Sequence, residues 1–486
     1  MSPDSLRAFF EQREAAKHTV VHGAPRFDLE GYLSNYSGRT RVDRLIHIGT
    51  HSVPLAIEAL KLVIKLLKQG TDVVRYKFAV SVLQKISPHD PDARLDEDWA
   101  DRTARKVQIE TEKMEAALKS YKHNLIKESI RMGHEDLGNH FYASGDLTNA
   151  FKCYSRMRDF CTAPKHVLDM SLQIIRVCIE QGNMLSVQTH VSKIRNLHKT
   201  SEDEEEALKP KLAAAMGLAH LSAGHYLSAA RCFLECPPTL GSTFNDVMSS
   251  NDVAIYGGLC ALASMDRQAL KSEVLDNNHF RGFLELEPHM RRAIHYFYSA
   301  KYSNCLQILE EYKNDYLLDI HLYHHVRSLY DSIRSKSIVQ YFIPFSCVTL
   351  SSMAEAFATN EARLESELVG MIQSGILDAR IDTQNRLLVA KETDLRASVH
   401  KNVLDMASNY ERSARQKLTR INMARSGLEV RGPKGPSTTL MGGTGHEGSV
   451  VKGPGLPRTL QLDDLVFPFG RYVYRILPAL VTCCSS

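Results

Sequence analysis

One pattern recurs between residues 137 and 309, and it dictates the architecture: a helix, a tight turn on a small residue, and a second helix. Residues 137–154 read LGNHFYASGDLTNAFKCY, with Leu137, Gly138, Phe141, Gly145, Ala150 and Tyr154 at fixed offsets. A second copy, MGLAHLSAGHYLSAARCF, places Gly217, His220, Gly224, Ala229 and Phe233 in matching positions. A weaker copy between them turns at Gly182 and Asn183, and a further one, FYSAKYSNCLQIL, has Ala300 at the turn, Cys305 for Ala150 and Leu309 for Tyr154. Small residues let two antiparallel helices approach, and aromatic rings fill the groove between them. The turns lie 37 residues apart from Gly145 to Gly182 and 42 from Gly182 to Gly224, the acidic stretch 201–206 being read as a solvated loop inserted in the second gap. Such units cannot bury their apolar faces alone, so they stack into a solenoid.

The spacing is tetratricopeptide-like, and a solenoid end needs a cap. Residues 338–393 supply one: their pattern is strand, helix, helix, strand, tight polar turn, strand, which is a winged helix. After it, 394–425 reads as a single helix on which Leu395, Val399, Val403, Met406, Tyr410, Ala414, Lys417 and Ile421 recur every three or four residues. An isolated helix of this length is hard to stabilise, so the stripe predicts a partner, either in its own domain or, the favoured reading, in another subunit. The fold class expected is therefore mainly α: a tetratricopeptide-like helical-repeat solenoid capped by a winged helix, then a long C-terminal helix and a disordered tail. The expected divisions are a flexible arm at 1–26, the solenoid at 27–334, the winged helix at 335–394, the helix at 395–425 and an atypical tail at 426–486. Within the first part, 98–130 is predicted helical, with Trp99, Val107, Met114, Leu118, Tyr121 and Leu125 as one buried stripe. The tail is rich in Gly, Pro, Ser and Thr to Pro457, and its apolar end is broken by Pro468, Pro478, Arg471 and Arg475, which argue against a membrane-spanning helix.

Several function classes are excluded by what the chain does not contain. Net charge is only +4 and no long basic run occurs, so no nonspecific nucleic-acid stripe is present. None of the phosphate-loop, dinucleotide, serine-hydrolase or HExxH motifs is found, and no two histidines are separated by a single residue. Ten cysteines occur without a CxxC pair, consistent with buried apolar thiols in a reducing compartment. The N-terminus has no apolar core of a signal peptide. The densest histidine group, His321, His324 and His325, is read as the polar face of a packed helix, as is the pair His47 and His51. No catalytic, cofactor or metal residue is assigned.

The winged helix poses the question of its ligand. In DNA readers the second helix enters the major groove. Here that helix, about 360–374, carries Glu361, Glu365 and Glu367 against Arg363 alone, and the wing at 382–386 offers one cation, Arg386. Phosphate would repel such a helix. Its apolar residues Leu364, Leu368, Met371 and Ile372 are expected to pack on Tyr341, Met353 and Phe357. The remaining docking element is a sheet edge. Ala379, Arg380, Ile381 and Asp382 with Leu387, Leu388, Val389 and Ala390 form a hairpin, one edge of which can continue a neighbour's sheet.

Tetratricopeptide-like helices ending in a winged helix resemble the PCI family, named for the proteasome lid, the COP9 signalosome and a translation initiation factor. The phrases at 124–131 (NLIKESIR), 254–263 (AIYGGLCALA), 317–320 (LLDI) and 379–382 (ARID) are similar to its signalosome branch. The resemblance runs from about Phe27 to Arg425, and the tail departs from it. It implies a non-catalytic scaffold in a complex that removes Nedd8 from cullin–RING ubiquitin ligases through a separate zinc metalloprotease subunit with a His-x-His motif. It further implies winged helices aligned in a horseshoe, a bundle of C-terminal helices, subunits two and three as neighbours, indirect contact with the metalloprotease subunit, and residence in cytoplasm and nucleus. Neither a nucleic acid nor a membrane is an expected partner. The alternatives left open are the equivalent proteasome-lid subunit, a winged-helix nucleic-acid regulator and an enzyme using the His321 cluster.

Overall fold

The computed structural model describes residues 3–196, 202–391 and 395–428. Two compact units result, one ending at Glu392 and the other containing the C-terminal helix.

The first unit opens with helices Pro3–Ala15 (α1), Leu29–Ser34 (α2), Gly38–His51 (α3), Ala56–Leu67 (α4) and Val73–Ile86 (α5). The flexible arm expected at 1–26 is not what forms. Leu6, Phe9 and Phe10 lie three and four apart, and on a helix they make one apolar edge. Phe10 is buried in a core shared with α3, α4 and α5, and the Ser5 hydroxyl bonds the Ile86 carbonyl at 2.8 Å. Beyond α1, Val21 pairs its backbone with Val53 and His51.

Glu97–His123 (α6) follows, and the helix predicted through Ile130 breaks here. Leu125 adopts φ +55°, and a new helix starts at Lys127. As a result Tyr121 and Leu125 are exposed, while Leu118 alone of the predicted stripe is fully buried.

The repeats then run as predicted. Lys127–Ser144 (α7) pairs with Leu147–Met157 (α8), and Pro164–Glu180 (α9) with Met184–Arg195 (α10). Glu202–Ser222 (α11) pairs with Tyr226–Leu234 (α12), so the acidic residues 202–206 open a helix instead of lying in a loop. Each turn closes in the same way. The residue after the small one donates its N–H five positions back: Asp146 to Phe141, Asn183 to Cys178, His225 to His220 and Lys301 to Tyr296, at 2.8–3.0 Å. The turn residue must be left-handed, as Gly145 at φ +93° and Ala300 at φ +58° both are. Glycine's other task is close approach. A Cβ at Gly138 would stand 2.6 Å from the Tyr154 ring, and one at Gly217 2.5 Å from Phe233.

Ser250–Ser264 (α13), the short turn Arg267–Ala269 (α14), Asn278–Leu286 (α15), Pro288–Tyr298 (α16), Tyr302–Leu317 (α17) and Val326–Phe342 (α18) complete the stack. The boundary expected at 335 runs through α18, and residues 338–342 are helical where a strand was read. The winged helix itself comprises Cys347–Thr349 (β1), Leu350–Ala356 (α19), Glu361–Gln373 (α20), Ala379–Asp382 (β2) and Leu387–Ala390 (β3). Its core is continuous with that of the repeats: Tyr302 of α17 stacks on Phe357 at 5.9 Å, and Tyr341 meets the same ring at 5.5 Å. The cap is thus fused to the solenoid rather than hung from it. Leu395–Arg425 (α21) makes up the described part of the second unit, with residues 426–428 after it. Predictions for the tail beyond 428 lie outside the described residues.

Candidate functional site

Three antiparallel strands form the wing sheet, in the order β1-β3-β2. The middle strand is β3, with Leu388 opposite both Ile381 and Val348. This corrects half of the predicted edge. Leu387, Leu388, Val389 and Ala390 have a strand on each side and cannot accept another. Strand alternation also turns Leu388 fully into the core, where α20 presents Leu364, Leu368 and Met371. The edges are β2 and β1, each paired on one side only among the described residues. Along β2, Ala379 is buried, Ile381 is half-buried and Arg380 is exposed. On the outer face Arg380 and Cys347 flank Val389, which is 37% exposed.

Asp382, the last predicted edge residue, is committed to the turn. Its carboxylate accepts the N–H groups of Gln384 at 3.0 Å and Asn385 at 3.2 Å, and the Asn385 side-chain amide at 2.8 Å. These bonds, that from the Asn385 side chain foremost, hold the carboxyl below its usual range.

The acidic second helix is reinforced by its surroundings. Arg386, the wing cation, bonds Glu361 at 2.8 Å. Glu367 binds Arg334 of α18 at 2.7 Å and Arg363 at 3.3 Å. Arg386, Arg334 and Arg363 are thereby already paired with carboxylates of α20.

Helix α21 begins at Leu395, as predicted, and carries its apolar stripe in the open. Val399 and Val403 are about half exposed, Met406 is 65% exposed and Tyr410 78%. Leu418 and Ile421 extend the stripe toward its end.

The histidines go elsewhere than their sequence pattern indicates. His321, His324 and His325 lie on a turn after α17, not on a helix. Burial pushes the His321 ring down to about 4, and His325 meets the Tyr226 hydroxyl at 3.3 Å. His47 and His51 stack at 4.0 Å within α3, and burial drives them down to about 3 and about 4. Among the described residues, no three His, Cys, Asp or Glu side chains converge as a metal site. No described helix is long and apolar enough to cross a membrane.

Sequence reasoning missed the strongest electrostatic feature. Arg44 of α3 is fully buried and donates to Asp319 at 2.6 Å, Asp252 at 2.8 Å and the Tyr256 hydroxyl at 3.2 Å. Its guanidinium lies 3.9 Å from the Tyr36 ring centroid. Arg39, one turn earlier, bonds Glu180 at 2.9 Å and Asp72 and the Tyr142 carbonyl at 3.0 Å. The two arginines join the N-terminal core to the repeat core. Their spacing of five in GRTRVDR gave no signal, since a charged residue on a short helix normally faces water.

Comparison with known proteins bears on this architecture directly. Residues 96–273 match the family described as 26S proteasome subunit RPN7, and residues 309–392 match the PCI domain. The COP9 signalosome complex subunit 1 of Emericella nidulans is 51% identical over 443 residues, covering 89% of this chain and 88% of its own. The chain belongs to the COP9 signalosome subunit 1 family. The subunit 1 of Arabidopsis thaliana is 41% identical over 423 residues, covering 85% of this chain and 93% of its own. A more distant relative, the 26S proteasome non-ATPase regulatory subunit 6 of Caenorhabditis elegans, is 24% identical over 309 residues, 61% of this chain and 73% of its own. Family membership accounts for the repeats and the winged helix together, and the Arg44 partners Tyr256 and Asp319 fall within two of the phrases that carried the resemblance.

Proposed function

We propose that this chain is a non-catalytic scaffold subunit of a COP9 signalosome, the complex that removes Nedd8 from cullin–RING ubiquitin ligases. The observation that carries the proposal is the 51% identity to a protein of that name across nearly the whole chain. The structure supports a connecting role with two exposed elements of different kinds. Edges β1 and β2 suit strand addition by a neighbouring winged helix. The stripe Val399, Val403, Met406 and Tyr410 suits a helical bundle. In this reading subunits two and three are the direct neighbours, the metalloprotease subunit is reached indirectly, and the cullin–RING ligase is the substrate of the assembly as a whole. Hydrolysis belongs to the metalloprotease subunit, nucleic acid and membrane are not partners, and the protein works in cytoplasm and nucleus.

The deciding experiment is affinity purification of the tagged full chain with identification of its stoichiometric partners by mass spectrometry. Signalosome subunits are expected. Recovery of proteasome-lid subunits instead would favour the second reading, for which the match to the proteasome subunit family over 96–273 is the specific observation. Recovery of the chain alone would sink both.

A further inference from the structure

A cavity of about 210 Å³ opens between α2, α13 and α17, away from the winged helix. Its walls are aromatic. Phe27 stacks on Tyr32 with ring centroids 4.5 Å apart, and Tyr312 lies flat on His289 at 3.8 Å. Its ionisable groups are mostly acids: Asp252 and Asp319 at the inner end, Asp315 and Glu287 nearer the mouth.

Two cations of the chain already exploit this chemistry. Arg44, behind the inner wall, is committed to Asp252 and Asp319. Arg26, at the mouth, lies 5.0 Å over the Tyr312 ring and pairs with Glu311 at 3.1 Å. Asp315 receives the backbone N–H of Arg26 at 2.9 Å, and Glu287 is held by the Asn251 amide at 2.7 Å and the His289 ring at 3.2 Å. Among the described residues, no Lys or Arg forms a salt bridge with either carboxylate. Burial pushes the Asp315 carboxyl above its usual range, against the opposing pull of the Arg26 backbone N–H and of the nearby His289 and Arg26 side chains.

We propose that this cavity binds an organic cation, a primary ammonium or a guanidinium on an alkyl chain, with Glu287 and Asp315 as counter-ions and Phe27 and Tyr32 among its aromatic walls. Aromatic rings attract a partly desolvated cation through their quadrupole, and a carboxylate adds a charge-assisted hydrogen bond. The volume is below the roughly 300–1,000 Å³ of pockets for drug-sized molecules, so it suits one extended side chain or one linear amine. A bare metal ion has no use for the rings. The ligand has two possible sources, a lysine or arginine of a partner protein or a free polyamine, and both present the same head group.

The test is isothermal titration calorimetry of the full chain with three probes: spermidine, a capped Gly-Lys-Gly peptide and a capped Gly-Leu-Gly peptide. The lysine peptide or spermidine binds and the leucine peptide does not. Preference for the peptide assigns a protein side chain as the natural guest, and preference for spermidine assigns a polyamine. Glu287→Gln weakens binding about tenfold, the range of a lost charge-assisted bond. Ile255→Trp fills the cavity, keeps every charge and abolishes binding, with the melting temperature reporting that the fold survives. Failure of both cations to bind, equal binding of the leucine peptide, or unchanged affinity in folded Glu287→Gln would overturn the proposal. None of these results depends on which complex the chain joins.

Discussion

Replacing Arg44 with methionine is the sharpest test of how the first unit is held together. Methionine keeps most of the volume and removes the charge. Asp252 and Asp319 would then share a buried site without their cation, and the Tyr256 hydroxyl, which bonds Asp319 at 2.8 Å, cannot neutralise them. Burial alone would raise the Asp319 carboxyl, yet Arg44 and the backbone N–H groups of His321 and Leu322 outweigh it and hold the carboxyl below its usual range. Breaking a buried ion pair from one side costs about 3–5 kcal/mol. The first unit spans 392 residues. At roughly 2.1 cal/mol/K per residue its unfolding entropy is about 0.8 kcal/mol/K, so melting should fall by roughly 4–6 °C if it unfolds as one. Differential scanning calorimetry measures the shift, and limited proteolysis should show faster cutting between α1 and α5, because Arg44 ties that layer to α13. Adding Asp252→Asn and Asp319→Asn should recover at least half the loss, since neutral amides no longer need the cation. A single variant that melts within about 1 °C of the parent, or a triple variant worse than the single, would refute the reasoning.

Other consequences are simpler to state. Gly138→Val should cost about 1–3 kcal/mol by driving a side chain into the Tyr154 ring, measured by chemical denaturation. Ala300→Gly should instead gain about 0.5–1 kcal/mol, because φ +58° strains any residue with a Cβ. Stability should fall below about pH 6.5. His47 and His51 stay neutral in the fold down to about 3 and about 4 while the unfolded chain takes up protons near 6.5, so each removes up to ~1.4 kcal/mol per pH unit in that window. Melting curves of His47→Gln between pH 7 and 5 should show a shallower decline. Val403→Glu with Met406→Glu should leave the melting of the first unit unchanged and reduce the partners recovered with the tagged chain, since both side chains are exposed on α21.

Legibility in the sequence followed the range of the interaction. The repeat turns were readable because Gly145, Gly182 and Gly224 each meet a local backbone demand, and the rule extends to Ala300, which meets it under strain. The acidic character of α20 was readable too. The hairpin at 379–390 is legible as well, but which of its strands is the edge is not: Leu388 sits in the middle strand, and Asp382 closes the turn. The helix at 3–15 escaped notice because three apolar residues in a charged stretch look too few to anchor it, and only α5 and the core around Phe10 make them enough.

By itself, the sequence determined that stacked helical pairs would form, that a winged helix would cap them and that a striped helix would follow, because periodicity and turn chemistry act within a few residues. Tertiary structure alone decided the strand order that leaves β1 and β2 as edges. It also decided that Arg44, Asp252 and Asp319, separated by more than two hundred positions between the first and the others, would meet in one buried network. Strand order depends on which segment returns to pair with which. A buried charge is tolerable only once its partners have been brought to it, and neither condition is written in any local window of the chain.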